Sequence, residues 1–405
     1  MSVTAPKGFR ASGVAAGLKP SRRPDVALVV NDGPDATAAG VFTANRVKAA
    51  PVLWSQQVLR AGIVRAVVLN SGGANACTGA SGFQDTHATA EHAAARLTAA
   101  GRLPGDRSGP RGSARRPGPV VGAADVAVCS TGLIGERLPM PKLLSGVDSA
   151  VRGLSRDGGD AAAEAIMTTD TRPKTVAVAG QGWTVGGMAK GAGMLAPSLA
   201  TMLCVLTTDA VADASTLDGV LRGACRTTFE RLDSDGCLST NDTVLLLASG
   251  ASGIMPSPAE LGASVATACA NLAHQLLSDA EGSTKDITIE VVGAASEDDA
   301  VEVGRTIARN NLVKCAFFGN DPNWGRILGA IGTTAAAFEP DALDVAINGV
   351  PVCLGGAAGE DRSKVDLTAR AVHVLVDLHA GDATATVWTN DLSTGYVHEN
   401  SAYST

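Results

Sequence analysis

The segment KGAGMLAPSLATMLCVLTTDA, residues 190–210, joins a turn rich in glycine and proline to an apolar run typical of a buried strand. The apolar run begins at Thr201. This threonine is either a β-branched strand starter, which is common, or a new N-terminus formed when the preceding peptide bond breaks. In the second case one residue carries both a hydroxyl and an α-amino group. An amine with a pKa of about 7.7–8.0 can accept the hydroxyl proton near neutral pH.

Outward from this segment, the chain alternates strand-like and helical patterns. Strands are predicted at residues 26–30, 66–70, 125–130, 174–179, 183–190, 243–248 and 286–292, and helices at 83–100, 141–154, 160–167, 213–232, 257–279 and 297–309. Ser215 or Thr216 is available to cap the fourth helix, and Pro258 opens the fifth at a favourable position. Residues 343–388 read as strands and turns. The order predicts an α/β or α+β protein with two layers of each kind.

Composition limits the possible classes of protein. The 405 residues suffice for one large domain or two ordinary ones. With 45% hydrophobic and 3% aromatic residues, the core must be aliphatic. A net charge of −7 argues against nucleic acid as a partner. Neither a signal-peptide stretch nor a membrane-spanning run of about 18 apolar residues is visible, so we expect a soluble cytoplasmic protein.

The eight cysteines are scattered singly, without a CxxC pair or a histidine at metal-ligand spacing. We therefore expect reduced, mostly buried thiols and no metal site. The six histidines show no triad spacing, and none is given a role. Residues 101–119, GRLPGDRSGPRGSARRPGP, hold almost no apolar side chains, which predicts a flexible basic surface insert.

The segment at residues 190–203 resembles the self-cleavage motif of the ornithine acetyltransferase family, also called glutamate N-acetyltransferase. Seven further motifs resemble the same family in the same order: NSGGANACTG (70–79), CSTGLIG (129–135), AIMTTDTRPK (165–174), STNDT (239–243), DAEGSTK (279–285), DPNWGR (321–326) and DLSTGYVHENSAYST (391–405). The likeness spans nearly the whole chain. Two stretches depart from the pattern, namely the insert and SDGC at residues 234–237.

The resemblance implies self-cleavage between Ala200 and Thr201, giving an α chain of residues 1–200 and a β chain of residues 201–405. Thr201 then becomes the nucleophile that carries the acetyl group of N2-acetyl-L-ornithine to L-glutamate, a step of arginine biosynthesis. Thr131 and Gly132 match the family's oxyanion hole. The implied fold is a layered αββα sandwich of the N-terminal-nucleophile kind with an additional C-terminal α/β region.

The same resemblance implies the substrate site. Lys190 would hold the α-carboxylate, Glu281 would meet the ornithine ammonium, and Thr168 or Thr169 would donate a hydrogen bond. Asn400 and Thr405, together with Thr201 itself, match further binding positions. No cofactor is implied, although acetyl-CoA stays open as a second donor because family members differ. The implied assembly is an α2β2 heterotetramer, with no nucleic acid or membrane partner.

Three other interpretations compete. A self-cleaving amidase or aminopeptidase of similar architecture would share Thr201 but use water as the acceptor. A nucleotide-binding protein is disfavoured because GMAKGAG (187–193) lacks the P-loop spacing and no helix follows Gly182. A non-catalytic structural protein is disfavoured by the polar residues in the glycine-rich loops.

Overall fold

The computed structural model describes residues 2–102, 120–194 and 202–402. The helices are α1 (Ala50–Val58), α2 (Gly79–Arg102), α3 (Met140–Arg152), α4 (Gly159–Ala165), α5 (Ala214–Thr227), α6 (Pro258–Ser278), α7 (Glu297–Arg309), α8 (Asn311–Phe318), α9 (Trp324–Ile331) and α10 (Thr394–Ala402). The strands are β1 (Phe9–Val14), β2 (Val26–Asn31), β3 (Thr37–Phe42), β4 (Ala66–Asn70), β5 (Val126–Ser130), β6 (Lys174–Ala179), β7 (Thr184–Lys190), β8 (Leu203–Thr208), β9 (Thr243–Ala248), β10 (Asp286–Ala294), β11 (Asp344–Ile347), β12 (Val350–Leu354), β13 (Ala357–Ala358), β14 (Ala371–Asp377) and β15 (Ala383–Asn390).

Two sheets form the middle of the molecule. The first has the strand order β1-β2-β4-β5, and the second has the order β3-β9-β8-β7-β6. Successive side chains of a strand point to opposite faces. In β8, Leu203 and Val205 therefore pack against the first sheet, while Cys204 and Leu206 belong to a second core on the other face. The two sheets thus share one aliphatic core.

Helices cover both outer faces. Helices α5 and α6 pack on the second sheet, and α2, α3 and α4 contribute to the core of the first. Helix α1 covers the edge of β5, where the Trp54 indole donates to the Val126 carbonyl at 3.0 Å and the Ser55 hydroxyl donates to the Val128 carbonyl at 2.7 Å. These bonds satisfy an otherwise unpaired strand edge. The predicted αββα layering is confirmed.

A third sheet forms the predicted C-terminal α/β region. Its order is β13-β12-β11-β14-β10-β15, and β10 runs parallel to β14 but antiparallel to β15. It encloses a separate aliphatic core with helices α7, α8 and α9. His274 in α6 and Trp388 in β15 pack edge to face, with their ring centroids 5.3 Å apart. This contact joins the C-terminal region to the sandwich.

The predicted helix at residues 213–232 is confirmed at its start, but its predicted cap and its predicted end are wrong. Asp213, rather than Ser215 or Thr216, is the cap, because its carboxylate accepts the Thr216 amide at 2.7 Å. The helix ends at Thr227, since Thr228 takes a non-helical conformation with φ −128° and ψ −89°. A short 3-10 turn follows. By contrast, Pro258 opens α6 as predicted.

Three further expectations concern membrane-spanning helices, the cysteines and the basic insert. Within the described ranges, no helix has the length and apolar character that crossing a membrane requires. Five cysteines are buried, whereas Cys77, Cys237 and Cys315 are exposed. The predicted insert begins too early, because Gly101 and Arg102 belong to the end of α2, and its residues 103–119 lie outside the described residues.

Candidate active site

A cavity of about 390 Å³ lies where the first sheet, the second sheet and the C-terminal helix meet. The predicted site residues that line it are Thr131, Gly132, Thr168, Thr169, Lys190, Glu281 and Asn400. They come from five separated parts of the sequence. The fold therefore brings together every predicted site residue that it describes, and both threonines of the 168–169 pair face the cavity. Ala200, Thr201 and Thr405 lie outside the described residues.

The turn after β5 carries Thr131 and Gly132. Gly132 has a φ of +130°, and a Cβ atom there would come within 2.8 Å of the Gly73 nitrogen. Glycine is therefore required for both conformation and space. The Thr131 amide donates to the Asn70 carbonyl at 2.9 Å, but no acceptor for the Gly132 amide occurs in the part of the chain that the structure describes. An unengaged backbone amide beside a cavity is a suitable donor for a developing oxyanion.

Lys190 ends β7 and points its charge toward this turn. Its side chain is buried, and Nζ donates to the Thr131 hydroxyl at 3.2 Å. Burial lowers the pKa of Lys190, and the charge of Lys174 adds to this effect. The carboxylates of Asp170, Glu281 and Asp242 act in the opposite direction. An ammonium group that is shielded from water in this way can form a strong ion pair with the carboxylate of a ligand.

A cluster of buried charged side chains, formed by Lys174, Asp170 and Asp279, lies next to Lys190. The Lys174 ammonium donates to Asp170 at 2.5 Å and to Asp279 at 2.6 Å, and these charged atoms are almost completely buried. Asp170 also accepts the Gly191 amide at 2.7 Å. Burial alone would raise the pKa of Asp170, but Lys190 and Lys174 hold it at about 2. Asp170 is therefore ionised and fixes the backbone that follows β7.

The backbone that leads from β7 toward residue 195 is anchored at two more points. The Glu281 amide donates to the Ala192 carbonyl at 2.9 Å, and the Met194 amide donates to Asp235 at 2.7 Å. A Cβ atom at Gly193 would lie 2.6 Å from a carboxylate oxygen of Glu281. Glycine thus allows the Glu281 carboxylate to lie directly against this backbone.

The C-terminal helix α10 closes another side of the cavity. Asn400 donates through Nδ2 to Glu281 at 3.0 Å. The helix is held at its start, where the Ser393 hydroxyl donates to the Gly282 carbonyl at 2.5 Å. A Cβ atom at Gly282, which has a φ of +60°, would lie 2.2 Å from the Tyr396 nitrogen. Residues 394–402 therefore form a docked helix.

The STNDT motif forms a further side of the cavity, which the sequence analysis does not predict. Ser239, Thr240 and Asn241 of STNDT line the cavity without having been given a role. Asn241 donates to the Ala74 and Ser130 carbonyls at 2.7 and 2.8 Å, so it holds the loops around the turn that carries Thr131 and Gly132. The available signal was a cluster of hydroxyl and amide residues directly before an apolar strand.

Asp242 follows this cluster and lies beside the start of β8. The parallel register pairs Leu203 with Thr243, which sets Met202 next to Asp242. The Met202 amide donates to Asp242 Oδ1 at 3.1 Å. The carboxyl group is fully buried, and the hydroxyl groups of Thr43 and Ser239 beside it favour its charged form. Burial raises the pKa of Asp242 well above its usual value, although the Met202 amide and Lys190 oppose this shift.

The chemistry available in the cavity is that of hydrogen bonding and charge. In the described ranges, no three His, Cys, Asp or Glu side chains converge as a metal site would require. The cavity instead offers an ammonium at Lys190, a carboxylate at Glu281, and hydroxyl groups at Thr168 and Thr169. Such a set suits a small molecule with separate positive and negative ends.

Comparison with known proteins identifies relatives of this chain. The model of the ArgJ family matches residues 10–405. The chain is 65% identical over 404 residues to the arginine biosynthesis bifunctional protein ArgJ of Streptomyces avermitilis, and 64% identical over 405 residues to that of Thermobifida fusca, with both full lengths covered. A solved ornithine acetyltransferase from Mycobacterium tuberculosis, complexed with ornithine, is 59% identical, with a TM-score of 0.44 over 50% of this chain and 96% of that chain. This chain belongs to the ArgJ family.

Proposed function

We propose that this chain transfers the acetyl group of N2-acetyl-L-ornithine to L-glutamate through an acetyl ester on Thr201. Membership of the ArgJ family supports the place in arginine biosynthesis. The observation that carries the proposal is the cavity, where residues on both sides of position 201 meet around one polar space. Met194 on one side lines that space, and Met202 on the other donates to Asp242, the residue after Asn241 of the cavity wall.

The first step is self-cleavage. The Thr201 hydroxyl attacks the Ala200 carbonyl carbon, the peptide C–N bond breaks, and an ester with a free Thr201 amine forms. Water then hydrolyses this ester, which releases the α chain of residues 1–200 with a C-terminal carboxylate. The amide of Gly132 and the turn at Thr131 stabilise the oxyanion in both tetrahedral intermediates.

The second step is acetyl transfer by the new N-terminus. The Thr201 amine takes the hydroxyl proton, Oγ bonds to the acetyl carbon, and the proton passes to the leaving nitrogen of ornithine. Glutamate then enters, and its α-amino group takes the acetyl group from the ester. Because ornithine leaves before glutamate binds, one cavity serves both substrates.

Charge in the cavity matches these substrates. Lys190 holds the α-carboxylate, Glu281 faces the ornithine ammonium, and a hydroxyl of Thr168 or Thr169 donates to the ligand. Asn400, bonded to Glu281, and the terminal Thr405 complete the site. We include acetyl-CoA as a second donor and an α2β2 assembly of the cleaved chains in the proposal.

The test is covalent. Purified protein is expected to give two chains, with Thr201 as the first residue of the second. Incubation with N2-acetyl-L-ornithine alone should add one acetyl group to the chain of residues 201–405, located by tandem mass spectrometry on Thr201. Thr201→Ala should stay uncut and unacetylated, whereas Thr201→Ser retains a hydroxyl and should cleave slowly. An active enzyme that remains a single uncut chain would refute the proposal.

A further inference from the structure

Asn241 is a buried side chain of the cavity wall that the proposed steps do not use. Its amide nitrogen donates to the Ala74 carbonyl at 2.7 Å and to the Ser130 carbonyl at 2.8 Å. Its amide oxygen accepts the Thr240 hydroxyl at 2.6 Å. A side-chain amide has two N–H donors, and here each of them is engaged by a different loop. One short side chain therefore ties two loops together.

The two carbonyls belong to the loops that shape the proposed oxyanion hole. Ser130 is the last residue of β5 and directly precedes the turn at residues 131–132. The loop after β4 lies against this turn, because the Gly73 amide donates to the Thr131 carbonyl at 3.0 Å. The Ala74 amide likewise donates to the Leu133 carbonyl at 3.0 Å. The turn is thus held both at its start and through the loop that packs on it.

Asn241 itself belongs to the other sheet of the sandwich. It lies two residues before β9, whose first residue, Thr243, is paired with Leu203 at the start of β8. Strand β8 is the one that follows the proposed nucleophile, whereas the turn follows β5 of the first sheet. The hydrogen bonds of Asn241 therefore cross from one sheet to the other, and they set the position of the turn relative to the start of β8.

We propose that Asn241 is a positioning residue for the oxyanion hole, which keeps the Gly132 amide at the place where the negative charge develops. This inference rests on the proposed function, because the turn has this role only if an oxyanion forms there. A preorganised donor stabilises an oxyanion when its N–H is already aimed at the developing charge. A displacement of about 1 Å can lower a rate by about a hundredfold. Asn241 therefore contributes to the rate of the reaction rather than to the affinity for substrate.

The test compares Asn241→Ala with a matched control, Asn31→Ala. Asn31 is also buried, and its amide donates to the Ala248 carbonyl at 3.0 Å. This bond joins β2 of the first sheet to β9 as well, but at the opposite end of β9. A strand of six residues is about 17–20 Å long, so the control bond is far from the turn. Both variants lose hydrogen bonds between the two sheets, and both should have a lower melting temperature.

Only N241A should slow the chemistry. Its rate constant for self-cleavage, followed on gels after cell-free synthesis, and its kcat for acetyl transfer, taken per cleaved chain, should each fall by about 10–100-fold. The Kd of ornithine, measured by titration calorimetry, should stay nearly unchanged, because ornithine has no acetyl carbonyl and forms no oxyanion. Asn241→Asp fills the same space but has at most one hydrogen to donate to the two carbonyls. D241 chemistry should therefore also be slowed, again without loss of ornithine affinity.

Three results overturn the inference. The first is an N241A enzyme with the wild-type kcat, and the second is an equal loss of kcat and ornithine affinity, which indicates a collapsed cavity wall. The third is an N31A enzyme slowed as much as N241A, which would tie the rate to stability alone. If N241A does not fold, N241D decides by the same measurements, and failure of both variants to fold rejects a positioning role. Failure of the proposed function would appear separately, as wild-type protein that is neither cut nor acetylated.

Discussion

Asn400 in the C-terminal helix donates a hydrogen bond to Glu281 at 3.0 Å, across 119 residues of sequence. This bond joins α10 to the cavity wall, where the Glu281 carboxylate also lies against Gly193. In the proposed function, self-cleavage requires the turn at residue 132 and the threonine at 201, whereas substrate binding requires the tail as well. The two activities should therefore be separable.

Deletion of residues 400–405 should leave self-cleavage complete and reduce acetyl transfer by about tenfold or more. The reason is that the deletion removes Asn400, which donates to Glu281, and Thr405, both of which the proposed substrate site uses, and each lost hydrogen bond at a buried polar group costs roughly 1–3 kcal/mol. Gel analysis and initial rates measure the two activities. His398→Ala is the control, because this exposed side chain lies on the same helix. Normal transfer by the truncated enzyme would mean that the tail takes no part in binding.

Gly132→Ala should impair both cleavage and transfer. The new methyl group would come within 2.8 Å of the Gly73 nitrogen, so the oxyanion turn must shift. Gly135→Ala is the matched control, since Gly135 also has a positive φ, of +89°, but has open space around its Cβ position. Both variants should lose roughly 1–3 kcal/mol of stability through backbone strain. Only G132A should accumulate uncut chain, and equal cleavage by the two variants would argue against the turn as the oxyanion hole.

Part of this architecture was predictable from sequence, for physical reasons that can be named. Strands such as β9 are continuous apolar runs, and α7 has a capping serine followed by acidic residues in its first turn. Strand β1, FRASGV, was missed because its burial does not alternate and it contains polar and small residues. Helices α8 and α9 were missed because each has only eight residues, about two turns, which is too short for a pattern to be distinguished from a strand or loop.

The site was predictable only where motifs carried it. Resemblance identified Lys190 and Glu281, and both line the cavity. The role of Asn241 was not predictable, because its hydrogen bond to the Ala74 carbonyl joins residues 167 positions apart. The hydrogen bond between the Met202 amide and Asp242 likewise depends on the register between β8 and β9, which no local pattern specifies.

The buried charged cluster of Lys174, Asp170 and Asp279 next to Lys190 should make the free energy of unfolding depend on pH. Asp170 has a folded pKa of about 2, below its ordinary value of 3.8. Its stabilising contribution is therefore present above about pH 4 and is lost as the pH falls toward 2. Asp170→Asn should cost roughly 3–5 kcal/mol at pH 7, the range for breaking a buried pair.

Urea unfolding at several pH values measures this effect. The gap between wild-type protein and D170N should narrow as the pH falls below 4, because the carboxylate of the unfolded wild-type chain then takes up a proton that the folded protein accepts only near pH 2. Asp157→Asn, at an exposed position, provides a control whose gap from wild type should stay near zero. A D170N gap that is constant from pH 7 to pH 3 would contradict the role of ionised Asp170.

Replacing residues 101–119 with a short Gly-Ser link should preserve folding and turnover. Loop length costs little free energy, about 0.6 kcal/mol for each doubling. Melting temperature and initial rate are the measurements. Loss of transfer with cleavage intact would instead make the arginines of this insert part of a substrate or partner site.

Glu281 offers a prediction that separates the two half-reactions. The donor ends in an ammonium, and the acceptor ends in a carboxylate, yet both use the same cavity in the proposed cycle. A carboxylate at position 281 attracts the first side chain and repels the second. Glu281→Gln retains an acceptor for Asn400 and removes only the charge.

E281Q should therefore raise the KM for N2-acetyl-L-ornithine in the acetylation step by roughly tenfold to a hundredfold, because a hydrogen bond to a charged group contributes about 1.5–3 kcal/mol. Removal of the acetyl group by glutamate should be unchanged or faster, since a repulsive charge has been lost. The two steps are measured separately, by the rate of acetylation of the 201–405 chain and by the decay of isolated acetyl-enzyme after glutamate is added. Glu399→Gln removes an exposed charge from the same helix as Asn400 and should alter neither step. Equal impairment of both steps by E281Q would show that Glu281 supports the cavity wall, through its contacts with Gly193 and Asn400, rather than distinguishing the substrates by charge.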